Sequence, residues 1–105
     1  MVVNPDAAIN MIQGAVVDGI GNVLYGALTH KDGVAEQKNF YNYRIIRMPE
    51  APKKIDVYFV QNDIDPTGLG EPPFAPVFGA VANALYKSTG KRFYNQPFIT
   101  QLNEL

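Results

Sequence analysis

Apolar side chains follow a helical spacing near the start of the chain. They recur every three or four residues at Ile9, Ile12, Val16, Ile20, Val23, Leu24 and Ala27. This spacing is typical of one face of an amphipathic helix. Asn4 can cap such a helix, Pro5 suits its first position, and Asp6 complements the positive end of the helix dipole. The pattern therefore predicts a helix from about Pro5 to Ala27.

Four glycines interrupt this helical pattern, at Gly14, Gly19, Gly21 and Gly26. Each costs up to ~1 kcal/mol relative to alanine in a helix interior. Their number indicates close packing of the helix backbone, either against a neighbouring element or against a ligand.

The middle of the chain alternates strand formers with turn residues. Lys31-Asp32-Gly33 carries a turn signal between two short candidate strands. The segment 40–48 is rich in strand formers but alternates poorly. Ile55–Gln61 is the best strand candidate, because Ile55, Val57 and Phe59 share one face. These segments predict a small antiparallel sheet of about three strands.

The segment 62–73 consists almost entirely of residues that break regular structure, so it predicts a Gly/Pro loop. Helical spacing resumes over Ala75–Thr89 and ends at Gly90, which suits a helix C-terminus. The tail 91–105 carries enough aromatic residues to pack on a neighbouring element. The predicted fold class is α+β in a single domain, residues 1–105.

Composition excludes several classes of function. The chain has 105 residues, no cysteine, one histidine (His30) and a net charge of −1. Disulfides, thiol catalysis and cysteine metal sites are therefore absent, and the electrostatic footprint of a nucleic-acid-binding protein is missing. We expect no membrane span, since we find no stretch in the sequence that is long and apolar enough to cross a bilayer. We also expect no signal peptide, which makes the cytoplasm the default compartment.

The loop residues Gly68–Pro73 are the main candidate for chemistry. Gly68 and Gly70 allow close approach of a ligand to the backbone, and Pro72 restricts Glu71 to extended conformations. A carboxylate held in this way can serve as a general base. The residues alone leave other interpretations open: an ordinary connector with a solvated Glu71, or a calcium site that adds Asp63 and Asp65.

Several blocks occur together in one order along nearly the whole chain. They are Asn4-Pro5, Gln13-Gly14, Lys31-Asp32-Gly33, Asn39-Phe40, Tyr43, Arg47-Met48-Pro49-Glu50-Ala51-Pro52, Gly68-Leu69-Gly70-Glu71-Pro72-Pro73, Ala82-Asn83-Ala84-Leu85 and Thr89-Gly90-Lys91-Arg92. In this order they resemble the C-terminal part of the large subunits of the xanthine oxidase and aldehyde oxidase family. The details are most similar to the branch that contains the isoquinoline 1-oxidoreductase beta-subunit and membrane-bound aldehyde dehydrogenase-like proteins.

The resemblance implies a part of a molybdenum-dependent oxidoreductase that hydroxylates an aldehyde or an N-heterocycle with water. It makes Glu71 the general base and places Gln13 and Gly70 beside a molybdopterin cofactor, in the cytosine dinucleotide form. The family's usual Gln-x-Glu-Gly-Gly run is replaced here by Gln13-Gly14-Ala15-Val16-Val17. The implied partners are the remainder of the large subunit and an Fe–S subunit.

The subunits of this family are several times longer, and most of their cofactor pocket has no counterpart in these residues. We therefore expect no cofactor on the isolated chain and no catalysis by it. Three hypotheses remain: a part of a split or truncated enzyme, a non-catalytic binding or assembly module that could self-associate, or an unrelated α+β domain.

Overall fold

A computed structural model describes all residues 1–105, and its largest element is α1, Pro5–Tyr25. The Asn4 side chain accepts a hydrogen bond from the Ala7 N–H at 3.1 Å, which confirms the predicted cap. The helix ends two residues before the predicted end, because Gly26 leaves the helical conformation while its N–H still bonds to the Asn22 carbonyl.

Two further helices follow late in the chain. The helix α2 spans Phe74–Thr89 and ends at Gly90. The φ of Gly90 is 72°, the left-handed conformation that glycine adopts at helix ends, so the predicted stop is confirmed. A short helix α3, Phe98–Leu102, lies in the tail, where the sequence predicted packing but no helix.

The only sheet is a hairpin of two short strands, β1 (His30–Lys31) and β2 (Val34–Ala35). Asp32 and Gly33 join them with φ values of 52° and 77°, as a tight hairpin turn requires. The α+β class is confirmed, but the sheet is smaller than the predicted three strands.

The segment 55–61 belongs to no sheet, so its predicted pairing is wrong. Its predicted facing is confirmed, because Ile55, Val57 and Phe59 are half-buried while the residues between them are exposed. This period of two is that of an extended chain with one face toward the protein. The stretch 40–48 forms no strand either, and a single 3₁₀ turn, η1 (Met48–Glu50), begins at its last residue.

The core lies where α1, α2 and α3 meet. Val23, Phe93 and Phe98 form its buried centre, and half-buried side chains of all three helices surround it. At the crossing of α1 and α2, a Cβ at Gly19 would lie 2.9 Å from the Val77 Cβ. A Cβ at Gly21 would lie 2.8 Å from Ile46. Two of the four glycines therefore serve close packing against protein.

The chain exposes more surface than its size requires. Only seven of 105 residues are buried, and the accessible surface is 7984 Å². A typical folded monomer of this mass exposes roughly 5,800 Å². The radius of gyration is 16.5 Å, against about 13 Å for a globular domain of this length. About 2,000 Å² of additional surface is therefore open to solvent.

By length and composition α1 could cross a membrane, contrary to the expectation from the sequence. Its mean hydropathy reaches 1.2 over an 18-residue window, of which 22% is buried. Core helices and leader sequences meet the same criterion, so one such helix is weak evidence for a span. The helices α2 and α3 pack against α1.

Candidate functional site

The Gly68–Pro73 loop leads directly into α2. The Phe74 N–H donates to the Glu71 carbonyl at 2.9 Å, so the turn containing Pro72 and Pro73 fixes the main chain of Glu71 at the start of the helix. The Glu71 side chain is exposed and takes part in no hydrogen bond or ion pair. The result is an unengaged carboxylate on a backbone held by two prolines and a helix.

The glycines beside Glu71 leave the loop backbone bare. A Cβ at Gly68 would meet no atom within 4 Å, and one at Gly70 would meet only the Met11 Cε at 3.6 Å. Neither residue has a positive φ. Both sites thus have room for a side chain in this structure. The Met11 contact places Gly70 beside α1, the helix that also carries Gln13.

Gln13 binds the protein rather than facing solvent. It is half-buried, and its Nε2 donates to the Ile55 carbonyl at 3.1 Å. This bond attaches the 55–61 segment to α1. The helical pattern of the sequence gave no signal of this contact, since the partner is a main-chain carbonyl 42 residues away.

The structure does not join the three predicted residues into one site, because Met11, beside Gly70, and Gln13 point about 200° apart around α1. A Cβ at Gly70 would contact Met11, Gln13 binds Ile55, and no hydrogen bond links Gln13 to Glu71. Together they make at most one wall of a binding site. A site that retains a large cofactor needs contacts from several sides.

An open cleft of about 430 Å³ lies next to the loop, between the start of α1 and the segment 59–69. Its volume falls within the ordinary range for ligand pockets, roughly 300–1,000 Å³. Asp65 is the only carboxylate side chain that lines it, and Glu71 does not. Most lining residues are apolar, including Ala7, Ala8, Met11, Phe59, Ile64 and Leu69.

A polar cluster ties the end of α1 to η1. Tyr25 Oη donates to Glu50 at 3.0 Å, Arg44 forms an ion pair with the same carboxylate, and the Arg44 guanidinium stacks 3.8 Å over the Tyr25 ring. The Arg47 N–H also donates to Glu50 at 2.8 Å. The block Arg47–Pro52, to which the sequence assigned no role, thus fastens the middle of the chain to α1.

Burial, charge and hydrogen bonding in this cluster shift the pKa values of Glu50 and Tyr25. The hydrogen bond from the Arg47 main chain, with those from Tyr25 and Arg44 and the positive charge of Arg44, holds the pKa of Glu50 below its usual range. Partial burial, followed by the hydrogen bond to Glu50, raises the pKa of Tyr25 above its usual value.

No group of three histidine, cysteine, aspartate or glutamate side chains lies close enough to hold a metal ion. Asp63, Asp65 and Glu71 therefore do not form the calcium site that the sequence left open. His30 lies exposed on β1, in the hairpin.

Several curated proteins, three of which follow, match 85% or more of the chain, whereas no protein-family model matches it. The first is the B subunit of nicotinate dehydrogenase from Pseudomonas putida, 31% identical over 96% of this chain and 8% of that protein. The second is a membrane-bound aldehyde dehydrogenase [pyrroloquinoline-quinone] of Gluconacetobacter polyoxogenes, 31% identical over 91% of this chain and 12% of that protein. The third is the putative xanthine dehydrogenase molybdenum-binding subunit XdhA of Escherichia coli K12, 30% identical over 85% of this chain and 13% of that protein.

The chain thus spans about a tenth of the length of these relatives. The resemblance drawn from the motif blocks is confirmed by proteins of the predicted kind, including an aldehyde dehydrogenase of the predicted branch. The chain therefore belongs to the xanthine oxidase family, as a segment of its large subunit.

Proposed function

We propose that this chain is the C-terminal part of a molybdenum-dependent oxidoreductase, in which Glu71 acts as the general base. The observation that carries the proposal is the exposed carboxylate of Glu71, which makes no hydrogen bond or ion pair. It lies on a loop with open space around Gly68 and Gly70. A carboxylate free of hydrogen bonds and ion pairs is available to accept a proton. The substrate class is an aldehyde or an N-heterocycle, with water as the oxygen source.

The cofactor would be molybdopterin with molybdenum, in the cytosine dinucleotide form. The name of the E. coli relative specifies molybdenum binding, whereas that of the G. polyoxogenes relative specifies pyrroloquinoline quinone. When bound, the molybdenum centre supplies activation of water and accepts the electrons of the oxidation. Electrons would leave through an Fe–S subunit.

In this proposal the Gly68–Pro73 loop would lie against one face of such a cofactor. The bare backbone at Gly68 and Gly70 leaves room for a flat ligand, and the Oε1 of Gln13 takes part in no hydrogen bond. Glu71 would take up the proton released as water attacks the substrate carbon. Covering by the rest of the large subunit would remove Glu71 from bulk water, a condition that makes carboxylates stronger bases.

The test is the Glu71→Gln variant in an assembled enzyme, made from this chain, the remainder of a family large subunit and its Fe–S partner. We expect kcat to fall by about 10²–10⁴, the usual contribution of a general base, with unchanged molybdenum content. Glu104→Gln is the matched control, since Glu104 is likewise exposed and its side chain makes no hydrogen bond. Activity of Glu71→Gln within a few-fold of wild type, at equal metal content, would refute the assignment.

The isolated chain should hold no cofactor and show no turnover, because it provides a single wall. Oxidation of an aldehyde or N-heterocycle by the chain alone, after loading with molybdopterin, would contradict this.

A second candidate is a non-catalytic binding or assembly module. It is favoured by one observation, the excess exposed surface around a core of few buried residues. Such a module would assemble with its partner but leave activity unchanged when Glu71 is replaced.

A further inference from the structure

The 55–61 segment has a main chain with almost no hydrogen-bond partners. None of its N–H groups donates a hydrogen bond, and of its carbonyls only that of Ile55 accepts one, from Gln13. Main-chain N–H and C=O groups are obligatory hydrogen-bonding groups, and in folded proteins nearly all buried ones are paired. A row of unpaired groups on an extended chain is a template for an added strand.

The side chains of this segment divide it into two faces. Ile55, Val57 and Phe59 face the protein and are half-buried. On the other face Tyr58 is 88% exposed and Val60 is 84% exposed. Aromatic and β-branched residues are strand formers that gain stability by packing on a sheet, and here they face solvent. Asp56 lies at the start of this outer face, and residues 57–60 have the apolar composition of a strand buried on both faces, with one face uncovered.

We propose that the 55–61 segment is a docking strand, which pairs through its main chain with an edge strand in the remainder of a xanthine oxidase-family large subunit. This inference rests on the proposed function, because it takes the remainder of that subunit as the partner. Strand addition of this kind draws affinity from main-chain hydrogen bonds and specificity from alternate side chains.

The exposed surface of the chain is large enough for a protein–protein interface of standard size. The chain exposes about 2,000 Å² more than a monomer of its mass, whereas a standard interface buries roughly 800 Å² on each partner. The surplus is thus larger than one standard interface requires.

The length of the relatives indicates which partner covers the 55–61 segment. They are roughly ten times longer than this chain, so about nine-tenths of each has no counterpart here. A second copy of this chain would supply none of that missing part. A polypeptide of the relatives' length can cover the strand, the cleft and the Glu71 loop together.

The partner used in the test is the P. putida nicotinate dehydrogenase relative, from which the 102-residue matching segment has been removed. As a control, the segment removed from this relative must bind again to the truncated subunit, because such binding shows that the truncated subunit is folded. Binding of the 105-residue chain is then measured by calorimetry. Tyr58→Pro removes one main-chain N–H, and Tyr58→Thr keeps that N–H and a strand-forming side chain.

We expect the wild-type chain to bind and Tyr58→Pro to lower the affinity at least about tenfold, because proline cannot donate within a sheet. Tyr58→Thr should stay within about threefold, since threonine is also a strand former. The Tyr58 N–H makes no hydrogen bond within the chain, so both variants should keep the wild-type circular dichroism and melting temperature.

Three results would overturn the docking strand. The first is failure of the wild-type chain to bind a truncated relative that rebinds its own segment. The second is equal loss of affinity in both variants, which would assign the contact to the side chain. The third is association of the chain with itself along 55–61 in preference to the partner. A complex that forms through this strand but keeps its activity in Glu71→Gln would refute only the proposed function.

Discussion

Two regions of this molecule, the three helices and the segment between Pro52 and Pro73, differ in how many of their main-chain groups are hydrogen-bonded. The helices α1, α2 and α3 share a core with buried Val23, Phe93 and Phe98, and their main chains are hydrogen-bonded internally. Between Pro52 and Pro73, in contrast, no main-chain N–H donates to another main-chain carbonyl. The second region carries the candidate catalytic loop. The comparison indicates that the helices form a scaffold with its own core and paired main chain, whereas the region of the loop leaves its main-chain groups unpaired.

Two polar contacts attach the middle of the chain to α1, in addition to the half-buried apolar side chains of Ile55, Val57 and Phe59. Gln13 holds Ile55 through one hydrogen bond, and Glu50 joins η1 to Tyr25. A single hydrogen bond contributes about 0.5–1.5 kcal/mol. Such attachments hold the inner face of the 55–61 segment against the protein and leave its outer face available to another polypeptide.

The largest effect on the scaffold is expected from Gly19→Ala. The new Cβ would lie 2.9 Å from the Val77 Cβ and 3.1 Å from the Phe74 carbonyl oxygen, in the tight crossing of α1 and α2. Overpacking of this kind costs about 1–3 kcal/mol, which exceeds the gain in helix propensity. The free energy of unfolding, from urea denaturation, should fall.

Gly14→Ala is the matched control on the same helix. No atom lies within 4 Å of the position of its Cβ, so the substitution should raise the free energy of unfolding by up to ~1 kcal/mol. A change of the same sign in both variants would contradict the close packing assigned to Gly19.

A smaller effect is expected from pH at the attachment between the regions. The pKa of Glu50 is lower in the folded chain than in the unfolded chain, so the folded state favours its charged form. Its contribution to stability is therefore complete above the unfolded pKa, about 4.3, and is lost as pH falls through the folded pKa.

The wild-type chain should thus lose stability below about pH 4.3 more steeply than Glu50→Gln, which cannot titrate there. Urea midpoints at several acidic pH values measure the difference in slope. Equal slopes in the two proteins would show that Glu50 does not couple to folding.

The sequence predicted the helices well because their signals are local. Spacing of apolar residues, the Asn4 cap and the Gly90 stop depend only on neighbouring residues, and all three are confirmed. The hairpin was equally accessible, since Asp32-Gly33 determines its turn. The short α3 was missed because five residues give too little periodicity.

The remaining errors of prediction concern contacts between residues far apart in the sequence, which local sequence patterns do not predict. Ile55–Gln61 has the composition of a strand, and its facing is as predicted, but the sequence cannot state where its partner is. Gln13 likewise gave no sign that its amide binds the Ile55 carbonyl. The role of Glu71 came from resemblance, and it stays a prediction because the geometry supplies only one wall of a site.

The most direct measurement of the central claim is residue-resolved amide hydrogen exchange, on the chain alone and on its complex with the truncated large subunit. The account predicts that interior amides of α1 and α2 are protected in both samples. The amides of 55–61 should exchange at nearly unprotected rates in the chain alone and become protected in the complex. Protection of 55–61 at helix levels in the chain alone would contradict the account, since it would mean that this strand already has its hydrogen-bond partners.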